Sequence, residues 1–190
     1  MKNSMMIRAI KLFVILLSTT LLSCEKNSVD TEQRFVPTDV SVKVRAGYEI
    51  HKVFEFINQF EHEVEHISSL VYTSDLRSDS LQYVLDYLNA KAYSHGKASW
   101  DITGYLQFQT KKITVFPRLF NMNNPNYQTD WLETMEILHL NEDVESGNNG
   151  TIIYFHVPAG AEKEWVKVFK EYEFVEWAEL NTLYDKDPLE

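Results

Sequence analysis

Gly150 to Tyr184 reads GTIIYFHVPAGAEKEWVKVFKEYEFVEWAELNTLY. Thr151 to Val157 is a short apolar run rich in Ile, Tyr, Phe and Val, the composition of a strand. Pro158-Ala159-Gly160 ends it. Trp165, Val168, Phe169 and Tyr172 then recur at the i, i+3, i+4, i+7 spacing that gives a helix one apolar side. Val175 to Leu183 is extended again. The unit is strand, helix, strand.

An earlier stretch echoes it. Val42 to Gly47 lies over Phe155 to Gly160, and Val53, Phe56, Ile57 and Phe60 lie over the four apolar helix positions. Val64-Glu65-His66-Ile67 lies over Val175-Glu176-Trp177-Ala178, with the register slipping by one residue between segments. Two such units in one chain predict an α+β fold, with two ferredoxin-like strand-helix-strand units and helices on one face of an antiparallel sheet.

Between the units the pattern changes. Asp79 to Ala92 carries Leu81, Val84, Leu85 and Leu88 as one stripe behind a cap at Ser78 or Asp79, which predicts a helix. Thr103 to Gln109 and Ile113 to Phe116 flank Thr110-Lys111-Lys112 and predict a hairpin, with Pro117 stopping its second strand. A further helix is expected after a cap at Asp130, with Trp131, Leu132, Met135 and Leu138 inward and Glu133 and Glu136 on the wet side. The insertion is therefore helix, hairpin, helix. Asn121 to Tyr127 is rich in amides and reads as a loop. With Trp100, Tyr105 and Tyr127 it has the residue types of a sugar-binding surface, although turn-rich loops share that composition. His95 reads as a loop residue, and the acidic run from Asn141 to Gly150 lacks the spacing of an EF-hand.

The strands of the second unit are apolar on both sides: Ile152 and Tyr154 on one, Ile153 and Phe155 on the other. Val175 and Trp177 oppose Ala178 and Leu180 in the same way. The expected cover is the middle helices, through Leu85 and Trp131. The rival outcome is an exposed patch around Tyr154 and Trp177.

One motif carries the look of catalysis. His62-Glu63-Val64-Glu65-His66 satisfies H-E-x-x-H, which on a helix sets two imidazoles toward one zinc with the glutamate as base. The repeat ends the helix near Phe60 and starts a strand at Val64. Residues four apart on a strand lie roughly 13 Å from each other, at about 3.3 Å per residue, and share no metal. The motif is thus expected to be a solvated run, with a zinc-dependent hydrolase using His62, His66 and Glu63 as the alternative. No catalytic residue, metal or cofactor is otherwise implied.

At the other end, Lys2, Arg8 and Lys11 precede the apolar run Leu12 to Leu22, which is too short to span a bilayer. Met1 to Ser23 reads as a signal peptide. Its last residues, Leu21-Leu22-Ser23-Cys24, resemble the lipobox of bacterial lipoproteins. That resemblance implies that Cys24 becomes the acylated first residue of the mature protein. Glu25 to Thr38 is polar, lacks periodicity and contains Pro37, so residues 24–39 read as the lipidated end and a tether, with Phe35 and Val36 as a docked edge segment the alternative, and a single domain follows over 40–190. The lipobox resemblance also implies an address in the cell envelope, on the outer membrane by expectation. Cys24 is the only cysteine, so no internal disulfide forms and the fold rests on its core. Loss of three basic and no acidic residues with the signal peptide takes the formal net charge from −10 to −13. Such a balance disfavours nucleic acid and anionic head groups as partners, and leaves the acyl chain as the contact with the membrane.

Val175, Glu176, Ala178, Glu179 and Asn181 match the V-E-x-A-E-x-N string that closes the propeptide modules of subtilisin-type proteases, with Leu180 where that family often has proline. The C-terminal unit resembles those ferredoxin-like modules, which implies a fold and a protein-binding surface. Residues and resemblances together predict a non-enzymatic binding or structural lipoprotein with a protein or glycan ligand.

Overall fold

The computed structural model describes residues 34–96, 100–142 and 150–183. The signal peptide and Cys24 lie outside the described residues, as does most of the expected tether.

Strand β1 (Phe35–Val44) alternates buried Val40, Val42 and Val44 with half-buried Asp39, Ser41 and Lys43. Helix α1 (Ile50–Ile57) follows, and β2 (Glu63–Ser68) returns beside it. The second unit is β8 (Ile152–His156), α4 (Glu162–Lys170) and β9 (Val175–Thr182). The intervening elements are β3 (Tyr72–Ser74), α2 (Leu81–Asn89), β4 (Thr103–Leu106), β5 (Ile113–Phe116), β6 (Leu119–Phe120), α3 (Pro125–Ile137) and β7 (Leu140–Glu142). The fold is α+β, with two antiparallel sheets and four α-helices among the described residues.

The first sheet has the order β6-β2-β8-β1-β9 and the second β4-β5-β3-β7. Two stretches of chain run from one sheet into the other. Ser69, at φ 60°, bends the chain between β2 and β3. Pro117, which cannot donate to a ladder, separates β5 from β6. Bends of this kind let neighbouring strands turn a corner together.

The helix side of the first sheet holds an aromatic core. Phe155 stacks on Phe169 at 4.7 Å, and Phe56 meets Phe174 at 4.8 Å and Tyr172 at 5.2 Å between ring centroids. Val53, Phe56 and Ile57 are buried as the repeat requires, and Phe60, just past the helix end, packs on Trp165 and Phe169. In α4 the phase differs by one position. Val168 is among the exposed residues, and Val166 packs against the core in its place.

Several expectations are corrected. β1 begins at Phe35, so residues 35–39 are sheet rather than tether; Phe35 pairs with Thr182. A bulge with Thr38 at φ 74° separates this pair from the regular ladder. No side-chain cap precedes α2; a 3-10 turn at Ser78–Ser80 leads into it. Helix α3 starts at Pro125, not Trp131. Asn124 caps it by accepting the Asn126 amide, and proline sits in the first turn, where its missing N–H costs nothing. Asp130 is consequently mid-helix and binds Lys91 and Tyr93, while Leu132 faces outward. Strands β3, β6 and β7 were not expected.

Nor do the middle helices cover the far face of the first sheet. Trp131 packs on Tyr72 and Tyr93. An added Cβ on Gly104 of β4 would lie 3.3 Å from Leu85, which places that side chain against the hairpin. The insertion instead meets α1, through Gln128 of α3 at one end of the helix and Glu142 of β7 at the other. Tyr154 and Trp177 remain half-buried on the far face, with the His66 ring stacked on Tyr154 at 4.1 Å. A bulge at Glu176 turns Val175 to the core side, away from Trp177.

Candidate functional site

The chain between α1 and β2 lies against the amide-rich segment before α3. Hydrogen bonds fix the approach. The Val64 amide donates to Asn123 Oδ1 at 3.4 Å and the Asn121 amide to the Glu65 carbonyl at 3.3 Å. Beneath them Gln128 is buried and exchanges two amide bonds with Asn58, at 3.0 and 2.9 Å, while donating to the Met122 carbonyl at 2.6 Å. A buried primary amide satisfied on both its donor and acceptor atoms is a rigid joint. It locks the end of α1 to the start of α3.

Above this joint lies an open groove of about 720 Å³. It is lined by Phe60, Glu61, His62 and Glu63 from the one segment and by Asn121, Asn123, Asn124 and Tyr127 from the other. Its lining is therefore amide, carboxylate and imidazole, with two aromatic rings. His62 stands edge-on to Trp165 at 4.2 Å. Burial beside that ring lowers the His62 pKa, against the opposing pull of Glu61. Its Nε2 is buried without a hydrogen-bond partner.

The H-E-x-x-H residues do not converge. Strand β2 begins at Glu63, one residue before the start the repeat gives it, and His66 is inside that strand. A bulge between Val64 and His66 adds one residue to the alternation. His62 consequently lies on the helix side against Trp165, whereas His66 lies on the far face between Tyr154 and Phe120. Two imidazoles on opposite faces of one sheet share no zinc, so the hydrolase reading of His62, His66 and Glu63 is withdrawn. Burial, then Arg118, then His156 push the His66 pKa down to about 4.

The three aromatics expected to form one sugar platform are dispersed. Tyr127 is in the groove. Trp100 borders a separate hollow of about 440 Å³, with the Arg118 guanidinium 4.3 Å over its ring. Tyr105 stacks on Phe116 at 5.8 Å on the hairpin. His95 is an exposed loop residue bonded to the Asn89 carbonyl, and Glu133 and Glu136 are exposed. Glu61 and Phe60 were missed as site residues. Only the fold brings them to Asn121, some sixty positions away.

Among the described residues no helix is long and apolar enough to cross a membrane. No family model, curated protein or solved structure matches this chain.

Proposed function

We propose that the protein is a lipid-anchored envelope lipoprotein that binds a glycan, without turning it over, in the groove between Phe60–Glu63 and Asn121–Tyr127. The observation that carries this is the convergence of three asparagines, two glutamates and two aromatic rings on one open groove. Amides present donors and acceptors together, the pairing that hydroxyl groups require. Aromatic rings add apolar contact with little conformational freedom to lose. The volume is within the usual range for small-ligand sites. Glu61 and Glu63, in a chain of net negative charge, favour neutral or amine-bearing sugars over acidic ones.

The two strand-helix-strand units make the scaffold a ferredoxin-like one in this reading. The strand order β2-β8-β1-β9, with α1 and α4 on one face, supports it. The likeness of Val175 to Asn181 to protease propeptide modules belongs to the same scaffold. Anchorage is through acylated Cys24, on the outer membrane, and Cys24→Ala should release the protein from the membrane fraction.

A glycan array probed with detergent-solubilised full-length protein tests the function. Neutral or amino sugars should be retained, and Tyr127→Ala should lose them. Retention of a protein partner from envelope extracts with an empty array would contradict the glycan reading.

A further inference from the structure

The far face of the first sheet carries a cluster that the groove does not use. In the ladders, Asp39 of β1 and Glu63 of β2 are the two cross-strand partners of His156 in β8. Glu65, two residues after Glu63 and in the bulge before His66, shares that face and reaches His156 as well. His156 Nε2 ends 3.5 Å from Asp39 Oδ1 and 3.7 Å from Glu65 Oε2. One ligand atom from each of the three residues lies within 4.8 Å of the other two.

These separations decide what the triangle suits. A charge-assisted N–H···O bond closes to about 2.7–2.9 Å, and neither contact does. Ligand atoms around a tetrahedral zinc stand roughly 3.4 Å apart, as bond lengths of about 2.0–2.2 Å require. The triangle is open for a proton and close to the span of a cation. Its members are also held. Asp39 accepts from Asn181 Nδ2 through Oδ2 at 3.1 Å and from Thr38 Oγ1 through Oδ1 at 3.3 Å. On the other side of the imidazole, His156 Nδ1 lies 3.7 Å from Glu63 Oε2. That contact is also too long for a hydrogen bond, but the carboxylate stands on the side where metal-ligating histidines characteristically keep an outer partner. Beyond the triangle, the buried Nδ1 of His66 has no hydrogen-bond partner and faces Glu65 Oε2 at 3.6 Å.

We propose that Asp39, Glu65 and His156 bind one divalent transition-metal ion of the zinc class, with Glu63 orienting His156 from behind. An imidazole in the donor set favours such ions over calcium and magnesium, which prefer all-oxygen sites. Three protein ligands leave a coordination position open to water or to a ligand. Within the H-E-x-x-H stretch it is Glu65, at an x position, that serves as a ligand and Glu63 that stands behind His156; neither histidine of the motif takes part. The three ligands lie outside the groove, which shares only Glu63 with this site.

The test is isothermal titration of metal-stripped, detergent-solubilised full-length protein with zinc, with bound metal measured after desalting. One equivalent is expected, with binding weakened at least tenfold in His156→Ala and in Asp39→Asn. Glu63→Gln should weaken it by about 10–100-fold, the usual effect of an outer partner. His51→Ala, on the exposed side of α1, and Tyr127→Ala in the groove should leave it unchanged. Thermal melting of each variant without metal separates lost ligands from lost fold, and Asp39→Asn keeps the side-chain shape if His156→Ala fails to fold. No stoichiometric zinc, zinc retained by a folded Asp39→Asn variant, or calcium competing on equal terms would overturn the proposal.

Discussion

Glu142, on the outer strand of the second sheet, holds the Ile50 amide between its two carboxylate oxygens, at 2.9 Å from Oε1 and 2.8 Å from Oε2. Ile50 opens α1, so a carboxylate of the insertion caps the first helix of the principal sheet. An anion at a helix N-terminus is favoured by the helix dipole, but this one is largely buried. Desolvation dominates, the Ile50 amide opposes it, and nearby Glu49 adds to it; the Glu142 pKa rises to about 7.

The sign follows. A carboxyl whose folded pKa is raised binds its proton more tightly in the native state, so stability is greatest below the ordinary carboxyl range and falls as pH rises through 7. Glu142→Gln keeps an oxygen for Ile50 and removes the charge. Its melting temperature at pH 8 should exceed that of the wild type by about 2–4 °C, the shift expected per kcal/mol in a chain of this size. The decline between pH 5 and 8 should flatten. A less stable variant at pH 8 would mean that the cap outweighs the desolvation.

Adjacent positions in α4 should differ sharply. Phe169 is fully buried against Phe155, and Phe169→Ala should cost about 3–5 kcal/mol. Val168 is 37% exposed, and Val168→Ala should stay within about 0.5 kcal/mol of the wild type. Urea denaturation measures both.

Asn124 closes the N-terminus of α3 through the Asn126 amide. Asn124→Ala should lose about 1 kcal/mol, and Asn124→Asp should keep most of it, since Asp caps as well as Asn. Equal losses would show that the groove-side contacts of the amide, not its cap, carry the stability.

The two outer units were legible because each strand and helix declared its own period. Val53, Phe56 and Ile57 are buried, and Phe155 and Phe169 meet as the repeat implies. What escaped notice was made by pairing over distance. Strands β6 and β7 have two and three residues, too short to show a period, and exist because β2 and β3 offer them an edge. The start of α3 was misread although Asn124-Pro125 carried the signal, because the apolar stripe starts later than the helix. The cluster of Asp39, Glu65 and His156 has no local spacing at all. It arises from ladder register and from one bulged residue, which periodicity cannot foresee. The groove was half visible, in the asparagines and Tyr127. Its other wall read as a solvated run after a helix, and the same bulge divides the two histidines of that run between two faces.

The account rests most heavily on the groove as a glycan site. Titrating the strongest array sugar into full-length protein, while recording the side-chain amide NMR signals of Asn121, Asn123 and Asn124, tests it directly. The account predicts saturable shifts of these signals, abolished by Tyr127→Ala, with the sugar recovered chemically unchanged. Saturable binding that leaves the three amides unmoved, or a sugar recovered cleaved, would contradict it.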